Sequence, residues 1–262
     1  MRAAFWRLGA FLCFFAASVV AQGEWEIATS QRETSPNDKV AHWTTLLEER
    51  GSDARATLHS AVFVITAATL RVIDQPRAPR RDLAEVMTGS GALAGVNGGY
   101  FDPQGAPVGL LVSGGRVLSP LRKAKLLSGV LSARGNQIEI VRATHFRMGS
   151  KVQAAVQCGP LLVEDATPVA GLNATRPARR TFAALDGKGR VALGVSSALS
   201  LAQLARILSV TDAAGEMKIV RALNLDGGSS SAFWFAGHEK NFSLPELKTV
   251  RDFVAIVPRA DR

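Results

Sequence analysis

From residue 58 onward, short apolar runs alternate with turn residues at close spacing. Leu58–Asp74 carries β-branched residues in partial alternation and predicts one or two strands. Asp82–Thr88 suits a short helix with Asp82 as its cap. Ala92–Val96 reads as a buried strand that ends in Asn97-Gly98-Gly99. Between Pro107 and Val141 four apolar runs, VGLLV, GRVLS, KLLSGVLS and IEIVR, are divided by Gly114-Gly115 and Gly135-Asn136, which predicts hairpins in series. Ala154–Glu164 continues the pattern with a break at Gly159-Pro160, and Asp186-Gly187-Lys188-Gly189 predicts a hairpin turn between Arg180–Leu185 and Arg190–Val195. Ser200–Leu208 places Leu201, Leu204, Ala205 and Leu208 at helical spacing behind Ser200 as cap. Val220–Leu225, AFWF at 232–235 and Phe253–Val257 are the last strands. Residues 22–57 are polar and irregular and read as a lead-in, with a short helix around Ala41–Arg50. No repeat, linker or break divides 58–258. The expectation is one α/β domain with a mixed, largely antiparallel sheet and a few helices.

The first 21 residues change that picture by adding a location. Arg2 and Arg7 precede the apolar run Leu8–Val20, and Ala21 supplies a small residue for cleavage. That order is the one of a secretory signal, and the run is shorter than the ~20 residues that span a bilayer. Residues 1–21 are expected to be removed, leaving a periplasmic or secreted protein with no integral membrane segment. Cys158 is then the lone cysteine, and its apolar flank suits an inert buried thiol.

Composition and charge narrow the function classes. The 262 residues are 47% hydrophobic and 20% charged, as in a domain with a sizeable core. The formal net charge of +9 rests on arginines spread along the chain. No basic run is interleaved with aromatics, so the surplus points to anionic polymers and not to nucleic acid. Zinc-type spacing is absent: there is no CxxC or HExxH, and the four histidines lie far apart. No Gly-rich nucleotide loop occurs either. Neither a metal nor a cofactor is expected.

Three segments carry candidate chemistry. Asn224-Leu225-Asp226-Gly227-Gly228-Ser229-Ser230-Ser231 puts a carboxylate at the end of an apolar strand, then two glycines that let a ligand approach the backbone, then three hydroxyls. The same segment also suits an ordinary Asp-Gly turn. Asn97-Gly98-Gly99-Tyr100-Phe101-Asp102 repeats the strand-then-double-glycine arrangement, with Asn97 as donor and acceptor; it too reads equally as a hairpin turn. Arg176–Thr181 offers arginines able to clamp a phosphate, and Arg180 is the one that enters a strand.

These segments together resemble the phosphodiester glycosidase family. The resemblance rests on Gly95–Asp102, Cys158–Val163, Arg180-Thr181 and Leu223–Ser230, in that order, and covers about residues 58–258. Departures occur at Phe182-Ala183-Ala184, where a glycine is usual in the family, and at Ser196–Leu199. The resemblance implies a hydrolase that cleaves a sugar 1-phosphodiester in an envelope or extracellular glycoconjugate, with a sugar phosphate or anionic polysaccharide as its partner. Asp226, Arg180 and Asn97 are the expected catalytic residues. Gly98, Gly99, Asp102, Thr181, Gly227, Gly228, Ser229 and Ser230 are expected to bind substrate. A non-catalytic polysaccharide-binding module is the alternative, followed by a serine hydrolase acting through Ser229.

Overall fold

A computed structural model of the chain describes residues 24–259, so the expected signal segment lies outside the described residues. The chain begins with three long strands, β1 (Trp25–Thr34), β2 (Val40–Glu49) and β3 (Arg55–Val64). Then come β4 (Ala68–Asp74), α1 (Leu83–Ser90) and β5 (Ala94–Asn97). A run of short strands follows: β6 (Leu111–Ser113), β7 (Arg116–Ser119), β8 (Gly129–Arg134), β9 (Gln137–Arg142) and β10 (Val152–Cys158). Next are β11 (Leu161–Glu164), β12 (Thr167–Pro168), β13 (Ala178–Leu185) and β14 (Arg190–Leu199). Helix α2 (Leu201–Leu208), β15 (Arg221–Asn224), a 3-10 turn at Gly228–Ser230, β16 (Phe233–Phe235), β17 (Phe242–Leu244) and β18 (Asp252–Pro258) complete the chain.

These strands form three sheets. Eight are ordered β1-β2-β3-β14-β13-β15-β11-β12; five are ordered β7-β6-β10-β8-β9; and five are ordered β17-β16-β5-β18-β4. Every pairing between these strands is antiparallel. The largely antiparallel pairing is as expected, while the expected α/β class is corrected to a β-rich fold that carries two eight-residue helices. Residues 25–49 are not an irregular lead-in, and 41–50 is not a helix. They form β1 and β2 at the outer end of the eight-stranded sheet. In β2 the burial follows a period of two: Val40 and His42 face one side, Thr45 and Leu47 the other.

The inner strands of the large sheet are covered on both faces, which explains their continuous apolar runs. Ala183, Val191 and Leu193 join the core shared by all three sheets, together with Val96, Val156 and Val254. Their neighbours Phe182, Ala184 and Ala192 point the other way, against Leu204, Ile207 and Leu208 of α2. That helix starts with a full capping box, Ser200 and Gln203 each bonding the other's backbone N–H. Helix α1 is capped by Asp82 and packs Leu83, Val86 and Met87 on the outer face of β5, β16 and β18.

The irregular segment 120–128 has no ladder to satisfy its backbone. Gln157, 1% exposed on β10, does so instead. Its Oε1 accepts from Leu110 N and Arg122 N at 3.0 Å, and its Nε2 donates to Arg122 O and Leu127 O at 2.7 and 3.0 Å. Replacing Gln157 with Ala leaves these groups unpaired and is expected to lower stability by about 2 kcal/mol. Urea unfolding measures this, and an unchanged midpoint would show that the loop does not depend on the amide.

Candidate functional site

The first and third candidate segments meet where the eight-stranded sheet abuts the sheet containing β5. Asn97, the last residue of β5, is fully buried. Its Nδ2 donates to Asp226 O at 2.7 Å, and its Oδ1 accepts from Thr181 Oγ1 at 2.7 Å and Ala232 N at 3.0 Å. One amide thus joins β13, the loop after β15 and the start of β16. Asp226 N donates to Gly98 O at 3.1 Å, and Leu225 N to Thr181 O at 2.9 Å, which completes the link.

Asp226 and Arg180 both lie beside Gly227. The Gly227 N–H donates to Asp226 Oδ1 at 2.9 Å. A Cβ at Gly227 would stand 3.8 Å from both Cδ and Nη1 of Arg180. Arg180 is held by main-chain carbonyls: Nε donates to Leu199 O at 2.9 Å and Nη2 to Arg176 O at 2.6 Å. A register shift between Ala178 and Arg180 in the β13–β14 pairing brings Leu199 O within reach. Among the described residues Arg180 has no carboxylate partner, and burial lowers its basicity. The result is a half-buried cation with Nη1 uncommitted, a group suited to a phosphate oxygen.

Burial pushes the Asp226 carboxyl up from its ordinary value, opposed by the Ser230 hydroxyl, the Gly227 N–H and the Lys248 ammonium. The Ser230 hydroxyl is buried and faces the carboxylate without full hydrogen-bond geometry. Gly228 has φ +66, open to glycine at no steric cost, and turns the chain into the 3-10 turn.

The eleven expected site residues divide into layers. Arg180, Asp226, Gly227, Gly228 and Ser229 reach the surface. Asn97, Gly98, Gly99, Thr181 and Ser230 are buried beneath them. Asn97 and Thr181 are therefore not placed to touch substrate, because their polar atoms bond each other and Asp226; they position the loop from below. Asp102 stands apart, its Oδ1 accepting from Ala106 N at 2.8 Å as the brace of a local turn.

Other residues escaped the sequence reading. Tyr100 and Asn224 both donate to Gly159 O, at 2.6 and 3.0 Å, which ties the second candidate segment to the Gly159-Pro160 break. Lys248 lies 5.1 Å from the Phe101 ring and within electrostatic reach of Asp226, in a polar loop with no pattern to mark it. Asp252, 1% exposed at the start of β18, accepts from Gly99 N at 3.0 Å through Oδ1, while its main-chain O accepts from Gly98 N. A Cβ at Gly98 would collide with that carboxyl, so this glycine is required by close approach. A charged residue opening an apolar strand was the signal for Asp252. Cys158 is buried and its thiol pushed up by desolvation, consistent with an inert thiol. Among the described residues no group of three or more His, Cys, Asp or Glu is arranged to hold a metal.

Burial, reinforced by the Asp74 and Asp226 carboxylates, pushes Asp252 up to about 7 against the Gly99 N–H and Arg251. Between pH ~4 and ~7 the folded carboxyl keeps a proton that the unfolded chain has released. Its contribution to stability is complete below that window and is lost as pH rises through it, by at most ~1.4 kcal/mol per pH unit. Asp252→Asn should therefore gain on wild type as pH rises from 4.5 to 7.5. Parallel urea midpoints for the two proteins across that range would show that the carboxyl is not protonated.

A sequence profile described as phosphodiester glycosidase matches residues 90–257. An uncharacterized Escherichia coli protein, YigE, is 31% identical over 90 residues, which are 32% of this chain and 35% of that protein; the chain thus spans about a third of that relative's length. Among solved structures, the zebrafish N-acetylglucosamine-1-phosphodiester alpha-N-acetylglucosaminidase catalytic domain, auto-inhibited by its pro-peptide, superimposes with a TM-score of 0.64 at 15% identity, covering 90% of this chain and 89% of that one. A Synechocystis protein gives a TM-score of 0.61 at 15% identity, over 90% and 68% of the two chains. A Burkholderia pseudomallei protein gives 0.60 at 13% identity, over 80% and 75%.

Proposed function

This chain belongs to the phosphodiester glycosidase family, and from that membership we propose that it hydrolyses a sugar 1-phosphodiester, with Arg180 and Asp226 as the reacting pair. The observation that carries the reading is the placement of a guanidinium, with no ion-pair partner among the described residues, and a carboxylate both beside Gly227. A phosphate monoester is a weak base and departs with little help from a general acid. The reaction needs neutralisation of phosphate charge and a carboxylate beside the cationic anomeric carbon. Arg180 supplies the first through Nη1. Asp226 supplies the second, as nucleophile or as base toward water. Across the reaction the anomeric C–O bond breaks, its electron pair leaves on the phosphate oxygen, and water adds to the sugar.

The remaining residues hold this pair. Asn97 fixes the Asp226 carbonyl, and the Leu199 and Arg176 carbonyls aim the guanidinium. Gly227 and Gly228 keep the floor free of side chains; the Gly227 N–H is bonded to Asp226 Oδ1, which leaves the Gly228 N–H for a phosphate or sugar oxygen. The sugar named for the zebrafish enzyme makes α-N-acetylglucosamine 1-phosphodiesters the first substrates to test. The apolar segment 1–21 supports an exported location for the reaction. Among the described residues no helix is long and apolar enough to cross a membrane. The serine-hydrolase alternative loses its support: a nucleophile elbow runs into a helix, whereas Ser229 lies in a 3-10 turn that leads into β16.

Asp226→Asn is expected to keep the fold and reduce kcat on such a diester by at least ~100-fold, and Arg180→Lys to be similarly costly because an ammonium lacks the paired fork. Near-normal turnover by either folded variant removes that residue from the chemistry. Hydrolysis in heavy-oxygen water should label the sugar; label on the phosphate would mean that the P–O bond breaks. Binding of a stable diester with no turnover by wild type would favour the polysaccharide-binding module.

A further inference from the structure

A cleft of about 500 Å³ opens beside segment 121–128, outside the pair just described. Leu121 and Leu127 lie on its floor, and Arg122, Lys123, Lys125 and Arg147 surround it. No carboxylate lies within ion-pair distance of these four cations among the described residues. Arg142, also in the lining, is different: Glu164 holds it through paired contacts and so neutralises it.

Two features separate this cleft from a scatter of surface charge. First, its wall is fixed. Gln157 binds both main-chain groups of Arg122 and the carbonyl of Leu127, so the cations project from an anchored segment. Second, the wall is tied to the site by contacts through Gly159. Gly159 packs so closely on Leu126 and Ser128 that a Cβ there would clash with their main-chain atoms. The Gly159 carbonyl is the one bonded by Tyr100 and Asn224, and Asn224 stands two residues before Asp226. Ser128 Oγ also accepts from Leu161 N at 2.9 Å, binding the segment to the far side of the same break.

We infer that this cleft is the subsite for the leaving-group side of the substrate, and that it takes an aglycone carrying phosphates of its own, a polyanionic chain and not a neutral alcohol. The inference rests on the phosphodiester reading of the Asp226 site. Arg122, Lys123 and Lys125 on the anchored segment, together with Arg147, whose Nη1 donates to Thr144 O and Phe146 O, create a positive potential that attracts and aligns such a chain. Its CH groups rest on Leu121 and Leu127. A net charge of +9 without nucleic-acid features fits the same class of partner.

The test separates the cleft from the catalytic reading. Fluorescence anisotropy with a dye-labelled glycerol-phosphate hexamer is measured for wild type, Asp226→Asn, and the triple variant Arg122→Gln, Lys123→Gln, Lys125→Gln. A control triple, Arg116→Gln, Lys188→Gln, Lys240→Gln, removes the same charge from exposed positions outside the cleft. Wild type and Asp226→Asn should bind alike, the cleft triple should bind roughly tenfold more weakly, and the control triple should stay within about twofold of wild type. In turnover, the cleft triple should raise KM for a diester whose aglycone bears a second phosphate and leave the methyl diester unchanged. Equal losses in both triples, or binding to phosphatidylglycerol vesicles in place of the hexamer, overturns the proposal. If wild type cleaves neither diester, the phosphodiester reading fails, and the anisotropy result alone then decides whether the cleft holds polyanions.

Discussion

The Asn97 amide is the interaction on which the site depends. It sits where strands of two different sheets end, and its three bonds reach β13, the Asp226 carbonyl and the start of β16. A buried polar group is costly unless its hydrogen bonds are made, so each of these contacts is held in place by the penalty of losing it. The Asp226 loop is consequently set by the packing of the sheets and not by its own turn preferences. Arg180 is fixed in the same manner, by the Leu199 carbonyl at a register shift of the β13–β14 pairing and by the Arg176 carbonyl, with no carboxylate partner among the described residues. The polarity of the site is thus arranged in two levels: a lower one that spends its hydrogen bonds on protein, and an upper one whose guanidinium and carboxylate reach the surface.

This division explains which parts were legible in the sequence. Residue types with special backbone demands stood out: Gly98 against Asp252, Gly99 against Val156, Gly227 and Gly228 in the turn, Asp82 and Ser200 as helix caps. The hairpins at Gly114-Gly115, Gly135-Asn136 and Asp186–Gly189 were legible for the same reason. Level within the site was not. Asn97 and Asp226 occupy similar places at strand ends, and a linear pattern carries no information on which one a neighbouring sheet will cover. Asp102 illustrates a second limit, since its carboxylate answers a local turn four residues long while lying in the segment that most resembles a site.

The fold was misread where composition imitates a helix. AHWTTLLEER carries Leu and Glu at a density that suits a helix, but β2 is flanked on both sides by long partners, and pairing with β1 and β3 satisfies nearly every backbone group it has. The α/β class was expected of a chain whose two helices are short and whose many strands pair antiparallel. Both helices lie over a face of a sheet whose strands all run antiparallel to their neighbours.

Because the Asn97 amide spans two sheets, the reacting loop has no independent unfolding unit. Releasing Asp226 means breaking the seam between β5 and β13, which belongs to the shared core. Amide protons at Leu225 and Asp226 should thus exchange with solvent only through global opening, and heat should abolish the loop and the sheets around it as a single event.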